Sequence, residues 1–328
     1  MTNEPEAVLE SIVQMTERCQ LDSLAESLVS TVREMVNVEQ VESLKVDSHL
    51  EPDEVINNLI TLSAESAADV LVECLKSCST VKLSSGVFEQ IAIPILLKDA
   101  VVMILWITSK HFSAQDVQML KGFSKVYENF LSIVIESETD PLTGLLNRKA
   151  FLPRLIKVAR LIKEDLDDYA ATPQESALSS KRYWLCIFDI DKFKVINDTF
   201  GHLYGDEILI DFVKVMKATF SELDSMFRFG GDEFVIIMSK RNKAEMMKLC
   251  EEFSHKLSIH HGKEVQVTIS MGIIEINSVE ESSELLMKAD KALYYVKETG
   301  RNNIGIYEDL IQDGSIVPLK IEDDIEIF

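Results

Sequence analysis

Apolar positions along the chain change period several times, and each change marks an element. "LDSLAESLVSTVREMV" carries apolar residues at helical spacing, whereas "EQVESLKVDSHL" is short and strand-like. "AADVLVECLKSC" returns to helical spacing. "VFEQIAIPILL" and "AVVMILWITS" then follow as two apolar runs parted by Lys98 and Asp99. Those charges leave each run short of the roughly 20 residues a membrane span needs. The pair therefore predicts two buried strands joined by a tight polar turn. Helices and strands mixed in this way predict an α+β domain over residues 1–112, an antiparallel sheet with helices around it.

A helix is expected next, over 113–138, with the Ser113 hydroxyl as its N-cap. Val117, Leu120, Tyr127, Leu131 and Val134 form one stripe; Met119, Phe123, Val126, Phe130 and Ile133 form its neighbour. Two stripes suit a helix that packs on its own domain and on a partner helix, or one wide stripe in a single core. "ESETDPLTGLLNRKAF" ends the helix, because the residue before a proline disfavours helical backbone.

Beyond it the pattern predicts a helix over about 147–165, the polar stretch "LDDYAATPQESALSSKR" and a strand over 183–189. Helices at 192–200 and 205–220 follow, then a strand pair around "FRFGGDEFVIIMS". A helix over about 243–257, the strand "VQVTISMGIIEI", a helix over about 282–298 and the strand "NNIGIY" complete it. This is a second α+β domain, 139–308, with a central, mainly antiparallel sheet flanked by helices. Residues 309–328 read as an acidic tail, weakly ordered or docked on the body.

Composition narrows the function. The chain has 328 residues, enough for two cores, and 46% hydrophobic with 27% charged content excludes wholesale disorder. A net charge of −22 argues against a nucleic-acid polymer or an anionic membrane surface as partner. It leaves room for a nucleotide held by local cations and metal. Cys19, Cys74, Cys78, Cys186 and Cys250 form neither a CxxC pair nor a zinc spacing, so buried thiols in a reducing cytoplasm are expected. "MTNEPEAVLE" is acidic where a secretory leader would be basic and then apolar, and no membrane span is expected.

Chemistry concentrates in two stretches. "YWLCIFDID" ends in Asp189 and Asp191, which strand alternation puts on one side. If that strand pairs with the hairpin, Asp189 approaches Asp232, and carboxylates brought together are costly unless a cation lies between them. Oxygen ligands without thiols or clustered histidines suit magnesium or manganese. Gly230 and Gly231 permit backbone that other residues resist, and close approach of a ligand. No Walker-type phosphate loop is present. Lys194, Lys297 and Arg301 can supply positive charge, although a helix C-terminus attracts the last two in any case.

Together "DPLTGLLNR", "FDIDKFKVINDTFGHLYGD", "RFGGDEF", "TISMGI" and "ADKALYYVKETGRN" resemble the GGDEF-domain diguanylate cyclase family over roughly 139–308. The order of elements in 1–112 resembles a GAF domain, with PAS the close alternative. The cyclase resemblance implies a palm-like nucleotide-cyclase fold. Two GTP would condense to cyclic di-GMP and pyrophosphate across a homodimer, with two Mg²⁺ or Mn²⁺ per GTP site. It implies metal ligation by Asp189, the Ile190 carbonyl, Asp232 and Glu233, and catalytic roles for Asp232 and Glu233. Substrate binding is implied for Phe193, Lys194, Asn197, Asp206, Gly230, Gly231, Lys297 and Arg301, with Asn197 and Asp206 on the guanine edge. The GAF-like domain would receive an unidentified small-molecule or protein signal and, with the 113–138 helix, hold the dimer. A catalytically silent receptor for GTP or cyclic di-GMP is the alternative. One departure is specific: the family's inhibitory product site, RxxD, is here Ser221-Glu222-Leu223-Asp224, with the arginine missing.

Overall fold

The computed structural model describes residues 21–46, 68–171, 181–260, 266–277 and 281–319. Cys19, the 47–50 end of the first expected strand, 172–180 of the polar stretch and 320–328 of the tail lie outside them. The chain divides into two units, Met1–Ser137 and Glu138–Phe328.

In the first unit, α1 (Leu21–Met35), β1 (Gln40–Lys45), α2 (Ala68–Ser77), β2 (Val81–Ser85), β3 (Phe88–Leu97) and β4 (Ala100–Ser109) precede α3 (Ala114–Glu138). The sheet has the order β1-β4-β3-β2 and is antiparallel throughout. Lys98 and Asp99 form the tight turn, with φ of 49° and 68°, the left-handed pair whose twist matches a two-residue hairpin. β2, "VKLSS", was not among the expected strands; it is short and polar, and pairing with β3 is what makes it extended.

One sheet face packs Ile91, Ile93, Ile95, Leu105 and Ile107 against α1 and α3. The other sets Ala92, Ile104 and Trp106 against Val70, Leu71 and Cys74 of α2. Most of both α3 stripes share the first of these cores: Leu120, Phe123, Tyr127, Leu131 and Val134 are buried and Met119 and Phe130 partly so. Ile133 remains 60% exposed. Ser113 caps α3 reciprocally with Asp116: its Oγ accepts from the Asp116 N–H (3.1 Å), and Asp116 Oδ2 accepts from the Ser113 N–H (2.8 Å). Glu128, buried on α3, accepts at 2.9 Å from the Leu96 N–H, at the register shift between Ile95 and Leu96 of β3.

The second unit runs β5 (Leu146–Asn147), α4 (Arg148–Ala171), β6 (Arg182–Ile190), α5 (Phe193–Phe200), α6 (His202–Thr219), β7 (Ser225–Gly230), β8 (Glu233–Arg241), α7 (Lys243–His260), β9 (Ile269–Ile276), α8 (Ser282–Glu298), β10 (Ile304–Ile306) and α9 (Tyr307–Gln312). Its sheet order is β10-β9-β6-β8-β7-β5. The four central strands are antiparallel, and the outer pairs β10/β9 and β5/β7 are parallel.

Alternation decides which side chains each layer receives. Trp184, Cys186, Phe188 and Ile190 of β6 face α5, α6 and α7, where the Phe188 ring meets Phe212, Phe234 and Phe253 at 5.8 Å. Leu185 and Ile187 face the opposite layer, with Phe151 and Leu155 of α4 and Leu285, Ala289 and Ala292 of α8. Asp189 continues that second series at the strand's end, so the strand's period delivers it to the α8 side. Past 308 the chain is docked: Tyr307 and Leu310 are buried, and the Leu319 N–H donates to Tyr307 Oη at 3.0 Å.

α8 can approach this closely because β9 carries Gly272. A Cβ there would lie 2.1 Å from the Ala289 carbonyl oxygen and 2.4 Å from the Leu293 nitrogen. Gly272→Ala is therefore expected to lower the denaturant midpoint, with a stability loss of roughly 1–3 kcal/mol from overpacking. An unchanged midpoint would show that α8 yields freely.

Candidate active site

Two strand ends and a turn bring the acids together. β6 and β8 pair with Asp189 opposite Glu233, and β7 and β8 close through Gly230, Gly231 and Asp232. The Asp232 carboxyl stands beside Asp189, and Lys297 Nζ on α8 donates to Asp189 Oδ2 at 2.5 Å. Burial, then the Asp232 carboxyl, push the Asp189 pKa up to about 6 against the pull of Lys297. Glu233 is exposed at the head of β8.

The glycines have a conformational reason for being there. Gly230 has φ 152° and Gly231 φ 53°, and a Cβ on either would meet nothing within 4 Å. The turn geometry demands glycine; crowding within the chain does not. Arg228, which sequence reasoning passed over, holds this turn. Its Nε and Nη2 donate to the Gly231 carbonyl at 3.0 and 2.8 Å, and its Nη1 donates to Asp140 Oδ1 at 2.9 Å. Asp140 also accepts from the Thr143 N–H (2.9 Å) and Oγ1 (2.6 Å). Burial works against its charge, yet the Thr143 and Arg228 hydrogen bonds prevail and lower its pKa. "DPLTG" thus serves as more than a helix breaker: its aspartate anchors the arginine that grips the turn. The signal was an arginine two residues before the glycine pair, matched by an acid 88 residues earlier.

Asp191 shares a face with Asp189 as alternation predicts, but its carboxylate is engaged elsewhere, by Thr268, Ser270 and Asn302. Ile190 is fully buried at the end of β6. Phe193 is 7% exposed and packs in the core beneath α5. Asn197 lies against α6 so closely that a Cβ on Gly205 would be 1.9 Å from its Oδ1, which places it beside the residue preceding Asp206. Both Asn197 and Asp206 are half-buried. Lys194 and Arg301 are exposed, and among the described residues neither enters an ion pair with the acids. Of the expected cations, Lys297 alone is brought onto Asp189.

Among the described residues no group of three or more His, Cys, Asp and Glu side chains has metal-holding geometry. The donor chemistry nevertheless fits a hard divalent cation: two neighbouring carboxyl groups, one with a raised pKa, and among the described residues no sulfur or imidazole grouped with them. No described helix is long and apolar enough to cross a membrane.

At the far end of β8, Asp224 is fully withdrawn from solvent. It accepts from the Ser221 N–H (3.0 Å) and Oγ (3.1 Å), the Ser239 N–H (2.7 Å) and Oγ (2.9 Å), and Arg241 Nη2 (2.8 Å).

Known proteins match this site and its surroundings. Residues 137–303 match the family described as diguanylate cyclase, GGDEF domain. The probable diguanylate cyclase DgcI of Escherichia coli (strain K12) is 34% identical over 194 residues, 59% of this chain and 36% of that one. Diguanylate cyclase A of Treponema denticola is 27% identical over 273 residues, 79% of this chain and 66% of that one. The chain thus spans about one third and two thirds of the lengths of these two relatives. The coiled coil and GGDEF domain of DgcB from Caulobacter crescentus, solved in complex with c-di-GMP, is 26% identical with a TM-score of 0.50. That match covers 59% of this chain and 97% of the other. With its family match spanning half of its length and the motif acids gathered at one strand end, the chain belongs to the GGDEF diguanylate cyclase family.

Proposed function

We propose that the protein is a diguanylate cyclase joining two GTP into cyclic di-GMP with release of two pyrophosphates. The observation that carries this reading is the contact of Asp189 with Asp232 opposite Glu233, an acid pair whose mutual cost a divalent cation removes. Asp189, Asp232, Glu233 and the Ile190 carbonyl would hold Mg²⁺ or Mn²⁺. When bound, the ions would offset the charge that builds on the transferred phosphoryl group.

The chain's own residues do the rest. Asn197 and Asp206 bind the guanine edge, where an aspartate matches the N1–H and exocyclic amine that adenine does not present together. Lys194, Lys297 and Arg301 hold the phosphate oxygens, and the Gly230–Gly231 backbone lets the nucleotide come close. Glu233 accepts the proton of the ribose 3′-hydroxyl as that oxygen bonds to the partner's α-phosphorus and pyrophosphate leaves. Phe193 contributes the packing that fixes α5, consistent with its burial. Two copies must face each other, and the GAF-like N-terminal unit with α3 would set that alignment in response to a signal in the cytoplasm.

Purified protein with GTP and magnesium, assayed at several protein concentrations, should form cyclic di-GMP with a rate that rises faster than linearly. GTP bound without turnover under any divalent metal would instead favour a silent receptor. Asp232→Ala or Glu233→Ala should cut kcat by at least about a hundredfold; full activity in either would remove its assigned role. Arg228→Lys keeps the charge but loses the fork that grips Gly231. It should lower kcat/KM about tenfold while leaving the unfolding midpoint close to wild type.

Product feedback through the RxxD position should be absent. The arginine is replaced by Ser221, and the remaining Asp224 is buried in bonds to Ser221, Ser239 and Arg241. Titrating cyclic di-GMP into the assay should leave the initial rate unchanged. Submicromolar inhibition abolished by a substitution at Asp224 would contradict this.

A further inference from the structure

Asp191 is the first residue beyond β6 and is only 9% exposed. Its N–H donates to the Thr268 carbonyl at 2.9 Å. Its Oδ1 accepts from Ser270 Oγ at 2.7 Å, and its Oδ2 accepts from Thr268 Oγ1 at 2.7 Å and from the Asn302 N–H at 3.0 Å. The donors are two hydroxyls and an amide, drawn from the entry to β9 and from the loop after α8. A carboxylate acceptor makes such bonds shorter and stronger than a neutral one would.

The captured amide belongs to an awkward piece of backbone. After Gly300 (φ 126°), Arg301 and Asn302 have φ of 66° and 46°, a region that residues with a Cβ disfavour. Such backbone persists where its surroundings over-determine it. Here the Arg301 N–H donates to the Val296 carbonyl (2.9 Å), the Asn302 N–H to Asp191, and the Asn303 carbonyl accepts from the Met271 N–H (3.0 Å). Three successive residues are tied to α8, to the end of β6 and to β9. The Arg301 side chain leaves the backbone between the first two ties.

We infer that Asp191 is a positioning residue that fixes Arg301 relative to Asp189 and so sets where the substrate's phosphates lie. It is two residues from Asp189 on one side and bonded to the neighbour of Arg301 on the other. The acidic and cationic halves of the site are thereby registered to each other by a group that belongs to neither. That the anchored ligand is GTP rests on the cyclase reading; the pinning of the loop does not.

The test uses the full chain with Asp191→Ala, the same-size Asp191→Asn, Arg301→Ala and the Asp191→Ala/Arg301→Ala double variant. Amide exchange at Asn302 should accelerate about tenfold or more in Asp191→Ala, and less in Asp191→Asn. KM for GTP, and Kd for a non-hydrolysable GTP analogue, should rise about tenfold in Asp191→Ala with kcat within about threefold of wild type. Asp191→Asn should recover part of this loss, and the double variant should bind no worse than Arg301→Ala alone. Unchanged exchange at Asn302, additive losses in the double variant, or a loss confined to kcat would each overturn the inference. If Asp191→Ala does not fold, Asp191→Asn carries the same readouts. Failure of the wild type to bind the analogue would count against the cyclase reading, and Asn302 exchange would still decide whether Asp191 pins the loop.

Discussion

The second unit is organised around the register of two antiparallel strands. Asp189 lies opposite Glu233 and against Asp232 because β6 and β8 pair in one alignment, and a slip of one residue would turn Asp189 into the opposite layer. Buried side chains enforce that alignment. Phe188 and Phe234, paired across the same two strands, stack at 5.8 Å inside a buried aromatic cluster. The core thus buries Asp189 beside a second acid, and that burial first, with the Asp232 carboxyl after it, raises the Asp189 pKa. Lys297 relieves part of the strain, arriving from α8 because Gly272 lets the helix lie against the sheet.

A site built on strand ends still needs its turn held. The Gly230–Gly231 backbone has the freedom that its dihedrals require, and that freedom is an entropic liability. Arg228 removes it with two bonds to one carbonyl, and Asp140 orients Arg228 in turn. Asp140 is among the first residues of the unit, within two residues of the end of α3. The turn that carries Asp232 is therefore joined by one side-chain bridge to the point where the chain enters the unit.

Much of this was legible in the sequence, for identifiable reasons. Strand and helix periods located the main elements of the second unit, and β4 falls on "AVVMILWITS" because apolar runs are where burial dominates propensity. The meeting of Asp189 with Asp232 followed from alternation plus one assumed pairing. The sequence was silent where a role depends on a distant partner. Arg228 and Asp140 are 88 positions apart, and although each stands in a quoted motif, nothing local pairs one with the other. β2 and α9 escaped because their structure is induced by neighbours, β3 in one case and the packing of Tyr307 and Leu310 in the other. Gly230 and Gly231 were read both as backbone freedom and as clearance for a ligand, and their dihedrals account for them through the first.

The aspartates show why residue type alone could not assign roles. Asp224 meets an arginine, two hydroxyls and two amides, which consume its acceptor capacity and leave it structural. Asp191 meets only neutral donors on separate segments, so it works as a junction between them. Asp140 meets an arginine that also holds the Gly231 carbonyl, and so orients it. Asp189 alone of these is set against another carboxyl, with a single lysine that offsets only part of the cost. An acid whose neighbours satisfy it has a structural task, and one whose neighbours leave it in deficit has capacity for a cation. By that criterion Asp189, beside Asp232, is the acid left with capacity for a cation, and the proposed function rests on that deficit as well as on the motif.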